Sequence, residues 1–244
     1  MLASPFSVLA QSYRLYRANL WILVGYSAWL LFPIAGIFIL SFIPDRTWIA
    51  YVSVGIFTIA QMLIGIWLSI LFIKLVDVMD QKQPLDLPNI QKQSIFLLRP
   101  TLHVIARQFI FVFLGLIALV IPGIIMAIWY AFSQIALILD GKTGMEALTF
   151  SKTLVKGRIF QVLYRILAGP FIIGFIYSFF IAILFSIIAL FSGIDLVKIM
   201  SGDNLPAWME LLQSSLEIFT IPLVAAYMTM LYKELRKNPV IAVK

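Results

Sequence analysis

The sequence predicts an all-α, polytopic membrane helical bundle of six transmembrane helices, arranged as three hairpins with amphipathic interfacial helices. Hydrophobic residues make up 62% of the 244 residues, charged residues make up 12%, and the mean hydropathy is +1.03. Soluble globular domains have far more charge and less apolar content. Spans of about 20 residues each use most of the chain, so residues 1–244 are interpreted as one integral membrane domain.

Six apolar runs are long enough to be spans. They cover residues 20–43, 49–75, 105–121, 124–139, 166–192 and 209–232. The third and fourth runs could form one kinked helix, but residues 105–139 would then extend roughly 52 Å, against a hydrocarbon core of about 30 Å. A hairpin that turns at Pro122 and Gly123 fits better. A re-entrant pair of short arms, which does not cross the bilayer, also agrees with these lengths.

The distribution of positive charge favours the hairpin. With six spans and both termini inside, only Arg46 and Lys198 of the 18 Lys and Arg residues lie outside. Cytoplasmic loops carry such an excess of Lys and Arg. The sequence therefore predicts a multi-pass protein of the cytoplasmic membrane with both termini in the cytoplasm.

A short pattern, Ser-x-x-Leu-x-Arg/Lys, precedes each hairpin. Its copies cover residues 12–17, 94–99 and 151–156. Recurrence at one place in three hairpins indicates a structural repeat. The alternative is a chance alignment of common residues at basic span entrances.

The third copy lies on the best-defined amphipathic segment. Thr143 and Glu146 have capping-box spacing and Gly157 supplies a stop, which predicts a helix from about 144 to 156. One face of this helix is less polar than the other. That face contains Ala147, Leu148, Ser151, Leu154 and Val155. The helix could lie in the membrane interface, or it could pack on its own bundle.

Basic residues around these segments are candidates for binding lipid headgroups, since each cation near an anionic leaflet contributes about 1 kcal/mol. The candidates are Arg14, Arg17, Arg99, Lys152, Lys156 and Arg158. The expected partners are therefore membrane lipids, anionic ones above all, and no nucleic acid. Ser178, Ala182 and Ser186 form a small-residue strip on the fifth span, which lets another helix approach closely, either within the bundle or in an oligomer. A protein partner or a second copy of the chain is therefore a further candidate partner.

Polar residues inside the spans are few. Gln61 and Gln134 are expected to form interhelical hydrogen bonds, with a substrate contact as the alternative. Asp77, Asp80 and Asp140 are interpreted as the ends of spans. The chain has no cysteine, a single histidine and no recognisable catalytic motif. The sequence therefore predicts no enzyme activity, no catalytic residue, no metal site and no cofactor.

One block of residues resembles a known family. It comprises Ile121-Pro122-Gly123-Ile124, Asp140, Gly144, Glu146-Ala147-Leu148, Ser151, Leu154 and Lys156-Gly157-Arg158. The block resembles uncharacterised bacterial six-span membrane proteins, which are similar to the membrane domain of some glycerophosphoryl diester phosphodiesterases. In fused relatives, hydrolysis belongs to a separate barrel domain that is absent here. The resemblance, over roughly residues 119–165, implies a membrane module without that activity.

Two functions follow from these observations. The first is a noncatalytic integral membrane protein that organises lipid or a partner protein through a basic cytoplasmic face. The alternative is a transporter or channel for a small or amphiphilic solute. Its support is the span number, the polar span residues and the prolines at 33, 170 and 222, which interrupt apolar runs.

Overall fold

A computed structural model describes residues 3–42, 48–192 and 207–239, although only the backbone is described for Ser192, Ala207 and Glu210. The predicted outer cations, Arg46 and Lys198, lie outside the described residues. Within those residues, regular structure consists of α-helices and one 3-10 turn, which confirms the all-α class. The α-helices are α1 (Pro5–Ala18), α2 (Leu20–Ser27), α3 (Leu31–Ser41), α4 (Trp48–Asp80), α5 (Leu87–Phe96), α6 (Leu98–Ala118), α7 (Val120–Tyr130), α8 (Ser133–Asp140), α9 (Gly144–Val155), α10 (Ile159–Ser192), α11 (Ala207–Glu217) and α12 (Ile221–Lys237).

Six helical segments in the described chain are long and apolar enough to cross a membrane, as predicted. They are Leu20–Ser41, Trp48–Asp80, Leu98–Ala118, Val120–Asp140, Ile159–Phe191 and Leu211–Lys237. The two longest helices, α4 and α10, contain 33 and 34 residues. At about 1.5 Å per residue each is roughly 50 Å long, so their ends extend beyond a hydrocarbon core of about 30 Å.

The chain divides into two compact units, and the single-domain interpretation stays a prediction. The first unit comprises residues 1–19, 66–169 and 223–244, and the second comprises residues 20–65 and 170–222. In the first unit, the largest buried side chains include Phe72, Phe132 and Tyr227. The core of the second unit includes Ile181, Phe185 and Met209.

The helices α1, α5 and α9 share one register, which confirms the threefold repeat. Each has a polar residue at its N-cap and a fully buried serine eight positions later. The N-caps and serines are Ser4 and Ser12, Asp86 and Ser94, and Thr143 and Ser151. Each helix therefore turns the same face of its sequence pattern inward before a hairpin begins.

The sequence predicts the N-cap residue of α9 correctly, but the hydrogen bonds of the predicted capping box are not formed. Thr143 is the N-cap residue, but its side chain makes no capping hydrogen bond. Glu146 instead pairs with Lys142, with Nζ and Oε1 2.6 Å apart. The Glu146 side chain thus turns toward Lys142 and not back to the Thr143 N–H that a capping box uses. The predicted stop is confirmed, because Gly157 has a φ of +89° and the helix ends at Val155.

The apolar face of α9 packs within the first unit. Its buried residues are Ala147, Leu148, Ser151, Leu154 and Val155, the five that the sequence predicts. They contact α6, α7 and α8. The alternative in which this helix packs on its own bundle is therefore correct, since the apolar face is not available for insertion into lipid.

The predicted turn of the second hairpin is displaced by three residues. The chain reverses at Leu119, where φ is −167° and ψ is 149°, and not at Pro122 and Gly123. Pro122 lies in the first turn of α7, where its missing N–H costs no helical bond. Gly123 packs against Gly115 of α6, and a Cβ on Gly115 would lie 3.0 Å from the Cα of Gly123. Pro122 thus belongs to the first turn of the second arm, and Gly123 allows this arm to pack closely against the first.

Candidate functional site

Two carboxylates at the end of α4 bind a cation that the chain itself supplies. The Nζ atom of Lys233, on α12, lies 2.8 Å from Asp77 Oδ1 and 2.5 Å from Asp80 Oδ2. The spacing of three residues brings both carboxylates to one face of α4. These residues do more than end a span, because they join α4 to α12 through an ion pair.

Asp140, at the end of α8, is bound by two other residues of α12. Its side chain is 7% exposed, and its Oδ1 lies 2.7 Å from a guanidinium nitrogen of Arg236. The Tyr232 hydroxyl donates a hydrogen bond to Oδ2. A buried carboxylate requires such partners, since an unpaired one is strongly disfavoured. The last helix therefore satisfies the acidic ends of both α4 and α8.

A small polar cavity of about 80 Å³ lies beside this cluster, among α1, α4 and α12. Its polar groups bind one another: Gln11 donates to Asp80, and Glu234 accepts from the backbone N–H of Ala3 at 3.1 Å. Sequence reasoning did not connect these residues. The available signal was the acidic pair at 77 and 80 together with the Tyr-Lys-Glu-Leu-Arg run at 232–236.

The structure does not support Arg158 as a headgroup ligand. Its guanidinium donates to the carbonyls of Leu154, Leu235 and Asn238, at 2.9, 3.0 and 2.6 Å. The last two lie at the end of α12, where free carbonyls attract a cation. Burial lowers the pKa of Arg158, as does the charge of Arg165, although an arginine still remains charged. Arg158 is a helix cap.

The other five predicted headgroup residues remain accessible to different degrees. Arg14, Arg17, Arg99 and Lys156 are exposed. Lys152 is half-buried, with its Nζ 4.1 Å from the centre of the Trp129 ring. Three of the exposed cations occupy equivalent positions, thirteen residues after the N-caps of α1, α5 and α9. These repeat cations are Arg17, Arg99 and Lys156.

An apolar cavity of about 230 Å³ lies between α7 and the beginning of α10. Its walls are four isoleucines of α7 together with Ile159, Phe160 and Leu163. Ile128, one of the isoleucines, directly precedes Trp129, whose ring contacts Lys152. The first unit thus contains a cavity whose walls are wholly apolar.

The predicted hydrogen bond of Gln134 is confirmed. Its Nε2 donates to the hydroxyl of Ser69 on α4 at 2.5 Å. Gln61 belongs to the second unit, where its side chain lines a cavity of about 170 Å³ with Ser41 and Ser214. The predicted interhelical bond of Gln61 is not among the hydrogen bonds of the described residues.

Acidic and histidine side chains in the described part of the chain form no group of three that could hold a metal ion. Asp77 and Asp80 pair instead with Lys233, Asp140 with Arg236, and Glu146 with Lys142.

The fold defines the class of the protein, which is a polytopic integral membrane protein whose described residues include six apolar helical segments long enough to span a bilayer. Comparisons with protein-family models, with curated proteins and with solved structures found no match. The resemblance carried by residues 119–165 therefore stays an expectation from the sequence.

Proposed function

We propose that the protein is a noncatalytic module of the cytoplasmic membrane that organises anionic lipid through a basic cytoplasmic face. The observation that carries this proposal is the repeat of exposed cations at Arg17, Arg99 and Lys156. Arg17 lies in the last turn of α1, Arg99 at the start of α6, and Lys156 directly after α9, so each cation lies where an amphipathic helix gives way to a hairpin. Anionic headgroups at such positions gain electrostatic attraction near the membrane surface.

The apolar cavity between α7 and α10 supports the same function. It can hold part of an acyl chain, because its walls carry only apolar side chains. Elsewhere in the first unit, the Nζ atom of Lys152 lies 4.1 Å from the centre of the Trp129 ring. A cation beside an interfacial tryptophan suits a phosphate headgroup. The resemblance to membrane domains linked to phosphodiesterases also agrees with a role beside lipid.

The proposal is tested by counting bound lipids with native mass spectrometry. Purified protein is titrated with phosphatidylglycerol and, separately, with phosphatidylcholine of the same acyl chains. We expect preferential retention of phosphatidylglycerol that weakens as ionic strength rises. The triple variant Arg17→Gln, Arg99→Gln, Lys156→Gln should lose this preference.

A matched control removes the same charge elsewhere. Lys82, Lys92 and Lys237 are also exposed, so the variant Lys82→Gln, Lys92→Gln, Lys237→Gln has the same net charge as the first. It should retain the preference for phosphatidylglycerol. Equal loss in both triple variants would mean that diffuse charge attracts the lipid, and full retention in the first would remove the three cations as the binding site.

The second candidate function is a transporter or channel for a small or amphiphilic solute. It is favoured by the cavity in the second unit, where Gln61, Ser41 and Ser214 place polar atoms among apolar helices. Solute flux into vesicles containing the protein should then fall in Gln61→Leu and respond little to salt. Flux equal to that of protein-free vesicles would leave the lipid-organising role.

A further inference from the structure

The hairpin formed by α6 and α7 has no polar side chain at its tip. From Phe109 to Ile128 no side chain contains nitrogen or oxygen. The three residues at the reversal, Leu119, Val120 and Ile121, are 69%, 65% and 71% exposed. A loop at the far surface of a bilayer meets water and headgroups, where polar and amphipathic aromatic residues are favoured. This tip instead suits contact with hydrocarbon.

Both arms of the hairpin are attached to α9, which fixes their depth. On the first arm, the guanidinium of Arg107 packs against Gly144, where α9 begins. On the second arm, the carbonyl of Trp129 accepts from the hydroxyl of Ser151 at 2.6 Å. The other face of α9 carries exposed Glu146, Thr149 and Thr153. A helix with such a face lies at the level of the headgroups, because charges are costly deeper in the bilayer.

The lengths of the two arms decide how far the tip reaches. Twelve residues separate Arg107 from Leu119, and ten separate Leu119 from Trp129. At about 1.5 Å per residue, the arms extend roughly 18 and 15 Å from the level of α9. The hydrocarbon core is about 30 Å thick. The tip therefore reaches the middle of the bilayer and ends about one leaflet short of the far side.

The backbone at the tip can be tolerated in hydrocarbon. The N–H of Leu119 donates to Gly115 at 3.0 Å, and its carbonyl accepts from the N–H of Gly123 at 3.3 Å. Pro122 has no N–H, so it removes one of the donors that the first turn of a helix leaves free. Groups without water must be satisfied within the protein. At the reversal, both backbone polar groups of Leu119 therefore have partners within the hairpin.

We infer that the second hairpin is re-entrant: it enters and leaves the bilayer on the side of α9 and ends among the acyl chains near the midplane. Its partner is the hydrocarbon of a single leaflet. The two ends of the hairpin lie on the same side whether it crosses twice or not at all. The asymmetry of Lys and Arg is therefore preserved, and only the depth of Leu119 distinguishes the two arrangements.

Spin-label depth measurements test this inference. The chain suits them because it has no cysteine that would have to be removed first. Single cysteines replace the exposed residues Phe113, Ile117, Leu119, Val120 and Ile124, and each receives a nitroxide before reconstitution into vesicles containing phosphatidylglycerol. Collision with oxygen reports depth in hydrocarbon, and collision with a water-soluble nickel chelate reports exposure to water. The label at Thr143→Cys marks the polar level of α9, and the label at Trp48→Cys marks the other end of α4.

A re-entrant hairpin gives one depth maximum, at positions 119 and 120, with loss of nickel contact there. A hairpin that crosses twice gives two maxima, in the middle of each arm, and a minimum at 119 where nickel contact matches that of Trp48→Cys. The second profile would overturn the inference. Because five sites define the profile, the loss of one poorly folded variant leaves the test intact. The measurement is independent of lipid preference, so its failure would not affect the proposed function.

Discussion

The hydroxyl oxygen of Ser151 accepts a hydrogen bond of 3.1 Å from the backbone N–H of Phe132. The same hydroxyl donates to the carbonyl of Trp129 at 2.6 Å. Phe132 lies at the bend between α7 and α8, where the helical hydrogen-bond ladder is interrupted. Ser151 thus provides partners for two backbone groups that the bend leaves without helical ones, and it connects the third amphipathic helix to the second hairpin.

Replacement of the three repeat serines should therefore have unequal effects. Ser151→Ala is expected to lower the free energy of unfolding by about 1–3 kcal/mol, because it leaves the buried N–H of Phe132 without a partner. Ser12 and Ser94 donate only to carbonyls of their own helices, those of Val8 and Ile90. Their alanine variants should cost less, since those carbonyls keep their helical bonds. Unfolding in mixed detergent micelles measures the difference, and equal costs would contradict this account.

The contact between Gly115 and Gly123 predicts a steric effect. A Cβ on Gly123 would lie 2.5 Å from the side chain of Leu116 and 2.8 Å from its backbone nitrogen. Gly123→Ala should destabilise the protein by about 1–3 kcal/mol, because the two arms must separate. Gly174, a helical glycine with open space around it, supplies the control. Gly174→Ala should have no cost or a small gain in thermal stability, and a similar loss in both variants would exclude close packing as the cause.

The ion pair between the buried Asp140 carboxylate and the exposed Arg236 should contribute more than a pair of two accessible side chains. Asp140→Asn weakens two hydrogen bonds to a carboxylate that is 7% exposed, and we expect a loss of about 1–3 kcal/mol. Glu146 is 58% exposed and pairs with Lys142 one turn away. Glu146→Gln should cost about 0.5 kcal/mol or less. The comparison uses chemical denaturation at one salt concentration. Similar costs would mean that the contacts of Asp140 with α12 add no more stability than an exposed ion pair.

Arg158 and Lys156 should separate a structural role from a lipid-binding role. Arg158→Gln removes the cap of α12 and should lower stability by about 1.5–3 kcal/mol, the contribution of hydrogen bonds to charged groups. Lys156→Gln should leave stability unchanged, because the lysine is exposed, and should reduce the retention of phosphatidylglycerol. Thermal unfolding and native mass spectrometry, applied to both variants, give the two readouts. The reverse pattern would exchange their assigned roles.

Periodicity predicted those parts of the structure that depend on local pattern. The buried face of α9 agrees with the sequence residue by residue, because apolar residues at helical spacing must turn to a single side. The Ser-x-x-Leu-x-Arg/Lys pattern likewise identified three helices in one register. The turn at Leu119 was less predictable, because Pro and Gly are typical of turns and also of the first helical turn and of close helix packing.

The roles of the charged residues depended on contacts between distant segments. Arg158 binds carbonyls about 80 positions further along the chain, and Lys233 binds carboxylates on α4. A single sequence shows that such residues are charged and near helix ends, but it does not show which ends meet. For this reason, the sequence predicts a lipid ligand at Arg158, whereas the structure shows a helix cap.

Assembly of the first unit depends on segments made at very different times. The N–H of Ala3 donates to Glu234, 231 positions away, and the Ala3 carbonyl accepts from Arg165 at 3.0 Å. Helix α1 emerges from the ribosome long before either partner exists. During synthesis, the buried face of α1 and the carboxylates of Asp77, Asp80 and Asp140 lack their partners until α12 has been made. The unit therefore closes only after α12 has been inserted.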